Sequence, residues 1–148
     1  MLPRWHIFYG LIFSLFIYLF FPKLGIFNAF LIFFASVFID FDHYLNAVVK
    51  TNSLGLLNAF AYYKIKAKLA EEEHREGIKN KADFQFFHTI EFHILVLLLG
   101  FIWSGFIYIF IGVLFHSILD VIYMTYNDVL YAREFFFFNW LIQRTKQS

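Results

Sequence analysis

Imidazole and carboxylate side chains recur in short groups along an otherwise apolar chain of 148 residues. One histidine near the N-terminus is followed by an Asp-x-Asp-His group, by two histidines around a glutamate, and by His-x-x-x-Asp. The members are His6; Asp40, Asp42 and His43; His88, Glu91 and His93; and His116 and Asp120. Carboxylate and imidazole without thiolate suit Zn, Mn or Fe in hydrolytic or oxygen chemistry. The sequence therefore predicts that these nine residues are metal ligands.

The spacing within the groups indicates more than one ion. His116 and Asp120 are four residues apart and would share one face of a helix, as would His88 and Glu91 at three. His88 and His93 are five apart, about 140° around a helix, so they should serve different ions or flank one site. The candidates also exceed what one tetrahedral ion can use. We therefore expect two or three divalent ions, zinc first, with manganese or iron as alternatives.

The amino-acid composition indicates which class of protein carries these groups. The chain is 61% hydrophobic and 24% aromatic, with 16% charged residues and no Cys. A soluble domain is usually about 45–50% apolar and about 25% charged, so a soluble single domain and a disordered chain are both excluded. The absence of Cys excludes a disulfide scaffold, and a net charge of +1 gives no sign of nucleic-acid binding. The composition predicts a small polytopic membrane protein.

Four stretches are apolar enough to cross a bilayer, which takes roughly 17–25 residues. They are residues 5–21, 24–43, 84–103 and 106–126. No small-x-small cleavage site follows the first, so it is interpreted as a retained helix. Between the second and third lies a polar insertion, residues 44–83, with a basic amphipathic helix expected at the interface. The predicted fold is an all-α integral membrane protein, one membrane domain with four transmembrane helices, this interfacial helical loop and a C-terminal interfacial helix.

Basic residues predict the orientation. Eleven of the twelve fall on one side of the predicted spans, and Lys23 alone falls on the other. The eleven are Arg4, Lys50, Lys64, Lys66, Lys68, Arg75, Lys79, Lys81, Arg133, Arg144 and Lys146. The positive-inside rule then places both termini and the long insertion in the cytoplasm, with the chain integral to the cytoplasmic membrane.

The candidate ligands share one depth in this arrangement. An Asp at the centre of a membrane helix costs roughly 2.5–3.5 kcal/mol on insertion scales, so such residues face a protein interior and mark function. Counted at ~1.5 Å per residue from each cytoplasmic helix end, the ligands of all four helices fall in the cytoplasmic leaflet. This shared depth, about where a lipid phosphate would sit, favours one polynuclear metal site.

The ordered set of groups resembles the membrane-bound metal-dependent hydrolase family of the inner-membrane, LexA-regulon-associated type. The matching elements are His6, Asp40-Phe41-Asp42-His43, the segment from His88 to His93, and the segment from His116 to Asp120. The resemblance covers the chain in order and spacing apart from the long insertion, and it implies hydrolase activity. A fainter similarity, in the His-x-x-x-Asp element and the all-helical ligand set, points to zinc-dependent phospholipase C.

The chain departs from the family pattern at three positions. Thr89 stands where the family has an arginine, Phe92 where it has a threonine, and Ile39 where it has a proline. If the family arginine binds substrate phosphate, these departures bear on the substrate or on activity itself. Glu91 is expected to compensate as a ligand or a base.

The sequence therefore predicts a metallohydrolase that cleaves an ester or phosphoester of a membrane lipid at the cytoplasmic leaflet. Glu91 and Asp42 are the predicted catalytic groups, and the basic amphipathic helix would hold anionic lipid beside the site. A membrane di-iron oxidase or desaturase-like enzyme is an alternative, although such enzymes use richer histidine clusters. A non-catalytic metal-binding or transport protein is another, although a transporter would place its ligands near the bilayer midplane.

Overall fold

The computed structural model describes residues 3–146, which form an all-helical protein. The described residues are 78% helical and contain no strand, which confirms the predicted all-α class. The α-helices are α1 (Pro3–Phe20), α2 (Ile26–Phe38), α3 (Phe41–Thr51), α4 (Leu56–Arg75), α5 (Ile90–Leu99), α6 (Gly105–Tyr126) and α7 (Phe137–Thr145).

Among the described residues, two helical stretches are long and apolar enough to cross a membrane. They are Ile26–Thr51, which runs through α2 and α3, and Gly105–Tyr126, which is α6. Arg4–Phe20 and Ile90–Leu99 are shorter apolar helices. Many large apolar side chains point outward on these helices; Leu19, for example, is 73% exposed. Such a surface fits an apolar surrounding better than water.

The second predicted span is interrupted at the point where its ligands begin. The α-helical pattern stops after Phe38, and the Asp40 N–H bonds the Val37 carbonyl oxygen at 3.4 Å, a tighter turn. Asp40 then stands at the N-terminus of α3. The turn therefore presents Asp40 at a helix end, where a carboxylate is better tolerated than in a helix interior.

The third predicted span is also shorter as a helix than its apolar length suggests. Residues Phe86–His88 form a 3₁₀ turn, and Thr89 caps α5 by accepting a hydrogen bond from the Phe92 N–H at 3.3 Å. His88 consequently lies in the turn before α5, and only ten residues of this stretch are α-helical.

Helix α2 packs against both α1 and α6, which also contact each other, while α5 packs on α6. At Gly112 the α2 and α6 backbones approach so closely that a Cβ atom would overlap the Ile32 carbonyl oxygen. Ala35, Ile39 and Val113 form the apolar core beside this contact. Small residues at the crossing thus bring the backbones of α2 and α6 together, a packing that is common between membrane helices.

The polar insertion contains α4, where the sequence predicts an amphipathic helix. Asp83 tethers this helix, accepting hydrogen bonds from Lys66 Nζ at 2.5 Å and the Tyr62 hydroxyl at 2.9 Å. Burial acts to raise the pKa of Asp83, but the bonds from Lys66 and Tyr62 outweigh it and the pKa is lowered from its usual 3.8.

The C-terminal segment runs back along the start of the third apolar stretch. The Ala82 N–H bonds the Ala132 carbonyl oxygen at 2.8 Å, and the Ile90 N–H bonds the Phe135 carbonyl oxygen at 2.9 Å. Helix α7 follows, and the ring of Trp140 stacks on Phe84. A C-terminal helix is present as predicted, and the segment before it is fixed against the residues that carry His88.

Candidate metal centre

Four separate parts of the fold bring histidine and aspartate side chains into one buried cluster. They are the start of α1, the turn between α2 and α3, the turn before α5, and the middle of α6. Five cluster residues are at most 5% exposed: His6, Asp42, His88, His116 and Asp120. Buried ionisable groups of this kind are stable only when they are paired or coordinate a metal.

The backbone of α2 fixes the orientation of His116. Its Nδ1 lies 2.7 Å from the Ser36 carbonyl oxygen, which can only accept, so Nδ1 carries the proton. In the neutral ring Nε2 then has a free lone pair. That Nε2 lies 3.4 Å from Asp40 Oδ1 and 3.6 Å from Asp120 Oδ2.

Asp42 fixes His88 in the same way. His88 Nδ1 lies 3.0 Å from Asp42 Oδ2, and the Phe87 N–H also donates to that oxygen at 3.2 Å. The carboxylate accepts the Nδ1 proton, which leaves the Nε2 lone pair of His88 free. A carboxylate behind a histidine is the usual arrangement that sets the tautomer of a metal-ligating ring.

The two free Nε2 atoms face each other at 3.3 Å. Both are acceptors in the neutral tautomers that Ser36 and Asp42 impose, and Asp40 Oδ1 and Asp120 Oδ2 lie beside them. Two converging lone pairs repel each other unless a proton or a metal ion lies between them. The donor set and its orientation therefore fit a metal ion.

Five separations between ligand atoms of the cluster are close to those around a tetrahedral ion. Ligand atoms at 2.0–2.2 Å from a tetrahedral zinc lie about 3.3–3.6 Å from one another. Among His88 Nε2, His116 Nε2, Asp40 Oδ1 and Asp120 Oδ2, five pairs measure between 3.3 and 3.8 Å. Two groups of three ligand atoms lie within 4.8 Å of one another here: His6, Asp40 and His116, and His88, His116 and Asp120.

His6 extends the cluster beyond these four atoms. Its Nε2 lies 3.3 Å from Asp120 Oδ1, and its ring stacks on His116 with 3.9 Å between centroids. Its Nδ1 is buried and has no hydrogen-bond partner in the part of the chain that the structure describes. Asp120 thus presents Oδ2 to His88 and His116 and Oδ1 to His6, so its carboxylate can bridge two ions.

His43 lies on the open side of the cluster, with 30% of its side chain exposed. Its Nδ1 donates to Asp42 Oδ1 at 2.8 Å, so its Nε2 accepts from the Gln85 amide at 2.9 Å. Asp42, His43 and His88 are close enough to form a ligand group of their own. A metal ion in that group would bind His88 Nδ1, which already donates a hydrogen bond to Asp42. Such an ion would therefore remove the hydrogen bond that directs His88 Nε2 into the main cluster.

The structure does not bring Glu91 and His93 to the cluster. Glu91 accepts hydrogen bonds from the Phe137 and Phe138 N–H groups at 3.0 and 3.3 Å, so its charge faces the N-terminus of α7. His93 Nδ1 donates to the Thr89 carbonyl oxygen at 2.7 Å. Its Nε2 then accepts from the Ser117 hydroxyl at 2.9 Å. Both residues lie in α5, whereas His88 lies in the turn before this helix. The α-helical spacing that was expected to place Glu91 on the same face as His88 therefore does not hold.

Sequence reasoning missed Arg133, which reaches Asp120 Oδ2 through Nη2 at 2.8 Å. It also missed the Ser36 carbonyl and Gln85. The cluster contains three carboxylates and one guanidinium, which leaves an excess of two negative charges when the rings are neutral. Burying that excess is unfavourable without a compensating cation. In the sequence, Arg133 is marked only by its position in an aromatic stretch, thirteen residues after Asp120. Its charge entered the sequence analysis only as a guide to membrane orientation.

Comparison of the chain with family models, with curated proteins and with solved structures gives no match. The resemblance drawn from the ordered motifs therefore stays a prediction, and the geometry of the cluster carries the functional argument.

Proposed function

We propose that the protein is a membrane-embedded metal-dependent hydrolase acting on an ester or phosphoester of a lipid at the cytoplasmic leaflet. The observation that carries the proposal is the convergence of the free Nε2 atoms of His88 and His116 with two carboxylates. Such a set of buried acceptors matches the nitrogen and oxygen donors of hydrolytic zinc sites. The resemblance of the ordered motifs to membrane-bound metal-dependent hydrolases points the same way.

For the membrane arrangement we propose four crossings, by α1, α2 with α3, the α5 region and α6. Helix α5 alone covers about 15 Å, half of a hydrocarbon core of ~30 Å, so its flanking turns complete the third crossing. Helices α4 and α7 would lie at the cytoplasmic surface with both termini. The distribution of Lys and Arg supports this orientation.

We propose two divalent ions, zinc as the first choice, with Asp120 shared between them. His88 and His116 would hold one through Nε2, and His6 would hold the other. Asp40 lies 3.4 Å from His116 Nε2 and completes the first set. Asp42 serves as the carboxylate that orients His88, and Glu91 and His93 take no part in ligation.

The bound ions would lower the pKa of a coordinated water to about 7 and stabilise negative charge that develops on the substrate. His43 is the cluster histidine with the most exposed side chain, and Asp42 holds its Nδ1 proton. Its Nε2 is the atom that can take a proton. Rotation of the Gln85 amide replaces a donor by an acceptor, so both protonation states of His43 can be hydrogen-bonded.

The experiment is hydrolysis by detergent-purified, zinc-loaded protein of lipids that carry a phosphoester or a carboxylic ester, with release of headgroup and of fatty acid measured separately. We expect release that a chelator abolishes. His43→Ala should lower the rate by roughly 10²–10⁴-fold, the range for loss of a general acid or base, with metal content retained. His74→Ala, at an exposed histidine of α4, is the matched control and should keep the rate.

Metal-loaded protein that releases neither product from any such lipid would contradict the proposal. Metal-dependent ion flux in liposomes without hydrolysis would then favour a transport function.

A further inference from the structure

An apolar groove opens beside the metal centre, between α5 and α6. Its volume is about 460 Å³, within the range of small-molecule sites. The walls are formed by Ile94 and Leu97 of α5, Phe110, Leu114 and Ile118 of α6, and Phe135 of the C-terminal segment. Several of these side chains are about half exposed, Ile94 and Ile118 among them, so the groove is open along its side.

The polar groups inside the groove bond to each other. His93 and Ser117 both line it, and the Ser117 hydroxyl donates to His93 Nε2 at 2.9 Å. The other nitrogen of His93 donates to the Thr89 carbonyl oxygen. The pair therefore leaves no unpaired donor that would demand a polar ligand, and the groove suits an alkyl chain.

One end of the groove is charged. Arg133 and Asp120 lie there, together with His88 of the metal centre. Only Nη2 of Arg133 donates to a described side chain, and the guanidinium has five N–H donors in all. The side chain is 12% exposed and held in place by Asp120, so its remaining N–H groups form a fixed set of hydrogen-bond donors at this end.

The length of the groove matches one leaflet. From Asp120 to Phe110 the axis of α6 advances about 15 Å, which is half of a hydrocarbon core of ~30 Å. A lipid whose headgroup lay at Arg133 could therefore lay one chain along the groove without leaving its leaflet. An arginine fork also matches the geometry of a phosphate.

We propose that this groove binds one acyl chain of a membrane phospholipid, with the lipid phosphate on Arg133 beside the metal centre. The inference rests on the proposed function, because it names the phosphate-bearing lipid as the substrate class of that site. Arg133, in the C-terminal segment, binds the substrate phosphate. Thr89, which stands where the family has an arginine, has no charge and cannot take this role.

The test is photo-crosslinking in phosphatidylcholine vesicles with a phosphatidic acid that carries a diazirine on its acyl chain. Zinc-loaded protein is used, because without the ions the excess negative charge of the cluster would repel the phosphate. Mass spectrometry then counts only adducts of the intact probe, so that turnover does not confuse the measurement of binding. Mass spectrometry should place the label on α5 and α6 residues of the groove. Leu97→Trp fills the groove and should reduce this labelling at least about tenfold. Leu98→Trp, at the neighbouring outward residue of α5, is the matched control and should stay within about twofold of wild type.

Arg133 is tested with a second probe, a diacylglycerol that carries the same diazirine chain. Wild type should label more strongly with phosphatidic acid, and Arg133→Gln should reduce that preference at least about tenfold, as expected for loss of a charged hydrogen bond. Arg133→Lys should restore part of it. Because this arginine also pairs with Asp120, the Gln variant could fail to fold. In that case the labelling of Leu97→Trp still tests whether the acyl chain lies in the groove.

Label spread over all outward faces, with no effect of Leu97→Trp, would overturn the inference. A change of oligomeric state in Leu97→Trp, without groove labelling, would assign the groove to a second copy of the chain and also overturn it. If lipids label the groove but the metal-loaded protein hydrolyses none of them, the proposed function is contradicted. The groove would then be a lipid-binding site without hydrolase activity.

Discussion

The contact at Gly112 gives the sharpest link between helix packing and the metal centre. A Cβ atom at this position would overlap the carbonyl oxygen of Ile32. Ser36 and His116 lie one helical turn further along α2 and α6, joined by the hydrogen bond from Nδ1 to the Ser36 carbonyl oxygen at 2.7 Å. The same helix separation therefore sets the packing at Gly112 and the orientation of His116.

Gly112→Ala should push the helices apart. A carbon–oxygen contact needs about 3.3 Å, so the backbones must separate by about 1 Å near Ile32. The same movement at Ser36 would lengthen the His116 hydrogen bond beyond bonding distance. Overpacking costs about 1–3 kcal/mol, and alanine regains about 1 kcal/mol of helix propensity, so the net destabilisation is about 0–2 kcal/mol.

The effect on metal binding should be larger than the effect on stability. Loss of the group behind a metal-ligating histidine typically lowers metal affinity 10–100-fold. The assay is zinc competition against a chelator in detergent, beside thermal unfolding of the same samples. Gly10→Ala is the control, because its Cβ would meet the hydroxyl of Ser36, the end of a side chain, rather than the backbone of α2. Wild-type zinc affinity in Gly112→Ala would refute the link between the α2–α6 contact and His116.

Three further predictions follow from single contacts. Asp42→Asn should lower zinc affinity about 10–100-fold, because His88 loses the carboxylate that orients it; unchanged affinity would remove Asp42 from the site. Glu91→Gln should keep full metal content and speed proteolysis of the C-terminal segment, because Glu91 bonds the α7 N-terminus; metal loss measured by elemental analysis would make it a ligand after all. The lowered pKa of Asp83 means that its stabilisation is present above pH 3.8 and is lost as the pH falls through the folded pKa. Asp83→Asn, which also weakens the tie to Lys66, should therefore lower the melting temperature at pH 7 and approach wild type as the pH falls below the folded pKa of Asp83. A difference in melting temperature that does not change with pH would contradict the assignment.

Much of the site could be predicted from the sequence because charged groups in apolar helices have few acceptable places. His116 and Asp120 lie four residues apart in a continuous helix, and the structure keeps them in one cluster as that spacing predicts. The shared depth of the ligands correctly indicated that His6, Asp40 and His88 would meet them. Helix periodicity and insertion cost are local properties, so sequence patterns report them well.

The rest depends on where helices end and on the backbone. Thr89 starts α5 one residue after His88, so Glu91 and His93 turn away from the ring they were grouped with. The carbonyl oxygen that orients His116 belongs to Ser36 and leaves no mark in the sequence. In the described part of the chain, two of the four predicted spans are long enough as helices. The third is shortened by the turn at Phe86–His88, whereas α1 is helical throughout and is itself short.

The measurement that tests the central claim most directly is metal content by elemental mass spectrometry of detergent-purified protein, wild type beside the double variant His116→Ala, Asp120→Ala. Helical content by circular dichroism checks that the variant is folded. We expect about two equivalents of zinc, manganese or iron in wild type, lost in the folded variant. No bound metal in wild type, even after reloading, would contradict the account, and the buried cluster would then be a protonated hydrogen-bond network.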